Sequence, residues 1–107
     1  MEKILGIYVN SDQHWKQLLG IAKAAVSKGI QLNLFFTYKG VALTKKPEFK
    51  ELADVVEGHG KMSLCLHSWN ELNLGDDHRI PGISENDFAT QVRHAELIDE
   101  MDRYLVL

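Results

Sequence analysis

Two apolar runs flanking one amphipathic helix constrain this chain more than anything else in it. Ile4, Leu5, Ile7, Tyr8 and Val9 form a nearly continuous apolar stretch, the pattern of a strand buried on both faces. Asn10, Ser11 and Asp12 follow, small polar residues suited to a tight turn and a helix cap. Trp15, Leu18, Leu19, Ala22, Ala25 and Val26 then recur at helical spacing, and Gly29 is placed to close the helix. Ile30, Leu32, Leu34, Phe35 and Phe36 predict a second strand. Strand, helix and strand in so few residues make a βαβ unit, hence a parallel pair with a right-handed crossover.

The rest of the chain extends that unit. Thr37 to Lys46 reads as a loop with Gly40 at a turn, and Pro47 sits in the first turn of a helix carrying Phe49, Leu52, Ala53 and Val56, ended by Gly58. Met62, Leu64 and Leu66 alternate with Ser63 and Cys65 as a third strand. Ser68, three residues before Glu71, has the capping-box spacing of a short helix reaching about Leu74. Gly75 to Ile83, broken by Pro81 and Gly82, reads as a mobile surface loop. Ser84 and Asp87 resemble another helix start, with Phe88, Val92, Ala95 and Ile98 as the buried face, and Tyr104 to Leu107 form a last strand. The expectation is one α/β domain over residues 1–107, a small parallel sheet of order 2-1-3-4 covered by helices on both faces.

Composition narrows the function classes. A net charge of -3 without a clustered basic face argues against nucleic-acid binding, which needs many cations together. The start of the chain is too short and too charged for a signal peptide, and no apolar run reaches membrane-spanning length. One cysteine forms no internal disulfide, so cytoplasm is the expected compartment. No Gly-x-Gly-x-x-Gly or Walker loop follows a strand, and no cofactor is predicted.

That cysteine, Cys65, falls near the carboxyl end of the third strand, just before a helix start. Ligands and chemistry collect at such places in open α/β sheets, and a helix amino terminus favours the nucleophilic thiolate. The order 2-1-3-4 brings Asn10 and Ser11 from the first strand's loop beside Cys65, His67 and Ser68. A lone intracellular cysteine is equally well read as a small buried hydrophobe.

Three motifs carry a resemblance. Leu34 to Val41, running into Phe36-Thr37-Tyr38-Lys39-Gly40-Val41, looks like the second-strand signature of the DsrE/DsrF-like family. Cys65-Leu66-His67-Ser68 looks like the Cys-x-x-Ser at the end of the third strand in one branch, and Met101 to Val106 is similar to the closing Asp-then-strand. Trp69 and Asn73 depart from that branch, which has Met and Gly there, and Lys39 replaces a position that is often acidic. The resemblance implies a flavodoxin-like three-layer fold, homo-oligomers (trimers or hexamers), and a cysteine that carries sulfane sulfur between donor and acceptor proteins as a persulfide. Cys65 is then the catalytic residue of a sulfur carrier or sulfurtransferase subunit, with Asn10, Ser11, His67 and Ser68 as binding residues. The alternative is a non-catalytic assembly or small-molecule-binding module of the same fold.

His14, His59, His67, His78 and His94, with Cys65, Asp76 and Asp77, raise the question of a metal. None has a recognised zinc spacing, and no metal is predicted. Trp69, Leu72 and Leu74 on a short helix beside a loop suggest an exposed apolar patch, and with it self-association.

Overall fold

The computed structural model describes residues 3–89 and 103–107. Strand β1 (Ile4–Val9) leads into helix α1 (Trp15–Ser27) and strand β2 (Gln31–Phe36). The end of α1 is closed by its glycine. With Gly29 at φ +73°, its N–H reaches the Val26 carbonyl and the Ile30 N–H reaches that of Ala25, the paired bonds of a Schellman cap. At the other end the sequence reading is corrected. Ser11 accepts the Gln13 N–H at 3.1 Å and so shapes the approach turn, while the helix itself begins after His14 without a side-chain cap.

Thr37 to Lys46 is not a simple loop. Tyr38–Lys45 wind as a 3-10 helix whose Gly40, Val41, Leu43 and Thr44 are buried. Gly40 is required because a Cβ there would run into the Val9 carbonyl. Helix α2 (Phe49–Val56) and strand β3 (Gly60–Cys65) follow, then helix α3 (Leu66–Glu71). After a single 3-10 turn, Glu85–Asp87, comes strand β4 (Phe88–Ala89), and strand β5 (Arg103–Val106) ends the described chain. Phe88 thus belongs to a strand, not to the expected helix, whose other apolar positions, Val92, Ala95 and Ile98, lie outside the described residues.

The described strands form one parallel sheet of order β4-β3-β2-β1-β5. This corrects the expected 2-1-3-4 order: β3 pairs with β2, Leu34 opposite Met62 and Phe36 opposite Leu64, and not with β1. Two features explain it. Leu32 through Phe36 are all buried, as suits a strand with neighbours on both sides. Gly60 lets β3 enter against β2, since any Cβ there would strike the Leu32 carbonyl. Three successive steps therefore run one way across the sheet, and the reversal falls between β1 and β5.

Side-chain alternation sorts the sheet into two faces. Ile7, Val9, Leu32, Leu34, Phe36, Met62 and Leu64 share one buried cluster with Leu18, Ala22 and Ala25 of α1 and Phe49, Leu52 and Val56 of α2. Trp15 meets Phe49 across the two helices, and Lys23 pairs with Glu51 at 3.0 Å. Phe35 and Cys65, with Tyr8 against them, form a separate cluster on the opposite face. The expected covering by helices is described on the first face only.

Trp69 is fully buried in the main cluster, and its Nε1 donates to the Gly75 carbonyl at 2.7 Å. The apolar patch expected around it is therefore absent, with Leu72 and Leu74 packed partly against the core. The loop from Gly75 to Ile83 is held in place as well. Ile80 and Ile83 are buried and bridge each other, and Arg79 clasps the Asp77 carboxylate at 2.9 Å, holding it well below the usual carboxylate range. Among the described residues no helix is long and apolar enough to cross a membrane.

Candidate functional site

The site grows from the end of β3. Met62 and Leu64 point into the main core, so Ser63 and Cys65 fall on the other face. Cys65 is still extended, at φ -82° and ψ 115°, and the next residue, Leu66, begins α3. The helix therefore starts ahead of the position that the Ser68–Glu71 spacing predicted. Ser68 is not its cap because the Ser68 hydroxyl is engaged elsewhere. It accepts the Tyr38 N–H at 2.9 Å and lies 3.3 Å from the Thr37 hydroxyl.

Those contacts bring the end of β2 over the cysteine. Thr37 is fully buried and extended, anchored by its N–H to the Val9 carbonyl at 2.9 Å. Burial pushes the Cys65 thiol up, but the Ser68 N–H and hydroxyl, the Thr37 hydroxyl and the His67 N–H all donate toward sulfur and outweigh it. The thiol is held below its ordinary value. Sulfur here occupies the place of an N-cap acceptor, although no regular side-chain cap closes on α3.

Cys65 is 1% exposed. It is enclosed partly because β3 has neighbours on both sides at this level, β2 on one and β4, through Ala89 opposite Cys65, on the other. Above it a groove of about 450 Å³ opens to solvent, lined by Tyr38, Lys39, His67, Ser68, Glu71 and Leu72. Ser68 belongs both to that groove and to the shell around sulfur. The arrangement is a buried, donor-ringed thiol one side chain below a surface groove.

Of the residues expected at the site, Cys65 and Ser68 come together as side chains. His67 contributes its backbone only, since its imidazole is 81% exposed and faces Glu71 at 3.5 Å. The strand alternation that would have aligned it with Cys65 ends at Leu66, where the helix begins. Asn10 and Ser11 follow β1, and β2 lies between β1 and β3, so two strand spacings, about 10 Å, separate their loop from the Cys65 strand. His78 stacks on Phe88 at 4.4 Å between centroids and meets Glu85 at 2.9 Å, away from sulfur. Among the described residues no three His, Cys, Asp or Glu side chains gather as a metal site. Thr37 is the residue that the sequence reading of the site missed. Its signal was present, in the run Phe36-Thr37-Tyr38-Lys39-Gly40-Val41, where Gly40 fits against β1 and Thr37 covers the thiol.

The sequence pattern of the DsrE/DsrF-like family matches residues 3–107, essentially the whole chain. The chain belongs to the DsrE/DsrF-like family. Membership suggests a sulfur-relay role, and Cys65 carries the one thiol of the sequence. No curated protein matches the chain.

Proposed function

We propose that this protein is a sulfur carrier or sulfurtransferase subunit in which Cys65 holds sulfane sulfur as a persulfide. The observation that carries the reading is the ring of donors around the buried Cys65 sulfur, which lowers the thiol despite its burial. Such a ring favours an anion on sulfur, and both the thiolate and the persulfide are anions.

The chemistry balances without an oxidant. The Cys65 thiolate attacks the outer sulfur of a donor persulfide, R–S–SH, forming one S–S bond as the donor's S–S bond breaks. The donor leaves as R–S⁻, and Cys65 becomes Cys–S–SH. An acceptor thiolate then attacks that outer sulfur, and the Cys65 thiolate departs. A lowered thiol makes Cys65 the better leaving group in the second step, which suits a carrier more than a terminal sink. Ser68 and Thr37 are the hydroxyls that hold the departing charge. A homo-oligomer and separate donor and acceptor proteins belong to the same reading.

Incubation with polysulfide, thiosulfate or a persulfidated protein tests it. One sulfur mass is expected on the peptide bearing Cys65, removable by reductant and absent in Cys65→Ser. A folded, reduced protein that takes up sulfur from none of these donors overturns the reading. It would leave the fold as an assembly or small-molecule-binding module, for which the 1% exposure of Cys65 already speaks.

A further inference from the structure

Tyr38 is conformationally out of place. Its φ is +47°, a left-handed geometry that strains a bulky aromatic residue, and the residue is 63% exposed. The only other non-glycine residue of positive φ among the described ones is Asn73, a type that tolerates it. The chain on either side of Tyr38 is fixed to β1. The Thr37 N–H bonds the Val9 carbonyl, and Gly40 packs directly on that same carbonyl. The strain is therefore local to one peptide unit. The N–H of that unit is the group bonded to the Ser68 hydroxyl at 2.9 Å.

We propose that the Thr37–Tyr38 peptide is a latch over the Cys65 thiol, shut while the Tyr38 N–H holds the Ser68 hydroxyl and opened when Tyr38 leaves its left-handed conformation. Rotation of that peptide plane gives up the bond to Ser68 and the Gly40 N–H to Thr37 carbonyl bond, and it releases the strain at Tyr38. Ser68, freed from the Tyr38 N–H, turns from sulfur toward the groove it already lines, and a path to Cys65 opens. Those two backbone bonds, and the Ser68 contact to sulfur that is given up as its hydroxyl turns, stand against one strained residue, so the closed state dominates and the open one is reached thermally. The latch resolves a conflict in the site: sulfur exchange needs contact with Sγ, yet Cys65 is 1% exposed. It rests on the reading of Cys65 as a working thiol and assigns the regulation of access to it.

Alkylation of Cys65 by iodoacetamide in the intact folded protein tests the latch separately from sulfur loading. Tyr38→Gly and Tyr38→Ala both remove the ring, but only glycine removes the left-handed penalty, so the closed state gains in the glycine variant. Each rate is divided by the thiolate fraction, read from ultraviolet absorbance. Tyr38→Gly is expected to label about fivefold or more slowly than Tyr38→Ala. Both rates are expected to be nearly flat in low urea, the mark of a local opening. Equal rates, a faster glycine variant, or a steep urea dependence that shows labelling through global unfolding would each overturn the latch. A protein that shows this pattern yet never takes up sulfur retains the latch and loses the carrier function.

Discussion

Ser68 is engaged on three sides at once, by Tyr38, Thr37 and Cys65, and small changes there are expected to be read by the thiol. Ser68→Ala and Thr37→Val each remove a hydroxyl that donates to sulfur, so the thiol is expected to titrate at higher pH in both, measured by thiolate absorbance across a pH series. His67→Ala keeps its backbone N–H and loses only an exposed imidazole, so it is expected to leave that titration in place. The same shift has a stability consequence. A folded-state thiol held below its unfolded value contributes stability that is fully present above the unfolded value, about 8.5, and is lost as pH falls through the folded value. Cys65→Ser cannot ionise in this range. Urea midpoints taken across that window are expected to rise with pH in the native protein and to lose that part of the slope in the serine variant. Gly40 marks a different kind of residue, one chosen for what it lacks. Gly40→Ala forces a methyl group into the Val9 carbonyl and is expected to cost about 1–3 kcal/mol or more in urea unfolding.

Helix α3 shows at the scale of elements what sequence pattern can and cannot reveal. Its existence, and the position of a cysteine just before it, were legible from Met62 to Leu72. Its start was not, because Ser68 looks like a cap until the Thr37 and Tyr38 groups that occupy its hydroxyl are known. Long periodic elements such as α1 and α2 were readable because burial of one face dictates their spacing. Strand β4 has two residues and thus no period to read, yet its Ala89 pairs with Cys65 and helps to bury it. Strand order failed for a related reason. Alternation within a strand says which face is buried, not which strand lies alongside, and the Gly60 contact that fits β3 to β2 is a property of the assembled sheet. The spacing of Trp69, Leu72 and Leu74 suggests an interface, but Trp69 is a core residue. It contacts Phe88 at 5.1 Å and His78 at 5.4 Å, with the Lys45 ammonium 5.5 Å from its ring. Trp69→Ala is therefore expected to cost about 3–5 kcal/mol of stability in denaturant unfolding, and Trp69→Phe less, through loss of the Gly75 bond and some volume.

At the scale of the whole molecule, the sheet formed by the described residues has two edges of different character. On one side β4 offers a short edge of two residues, which gives little purchase for a further strand. On the other, β5 pairs with β1 through Leu5 to Tyr8, and its Leu105 and Val106 are 39% and 56% exposed. With Trp69 withdrawn into the core, those two residues and Tyr38 are the large apolar side chains left exposed among the described residues. An edge strand that carries an exposed apolar residue on each of its faces is the kind of edge that proteins cover by pairing or association. Self-association is therefore expected at the β5 edge, where Leu105 and Val106 lie, and not at α3. A closed ring of copies needs a patch that meets a different patch on the next copy, which an edge at one end of an asymmetric sheet allows. Sedimentation velocity over a range of concentrations checks this. Val106→Lys is expected to shift the native protein toward monomer, and at concentrations where both proteins are monomeric to change the urea midpoint little, because the side chain is already largely solvent-facing. Substituting the α3 residue Glu71, which is exposed and remote from that edge in the sheet order, is expected to leave the assembly unchanged. A native protein that sediments as a monomer at every concentration rules out the association altogether. One that remains assembled in Val106→Lys moves the interface away from β5.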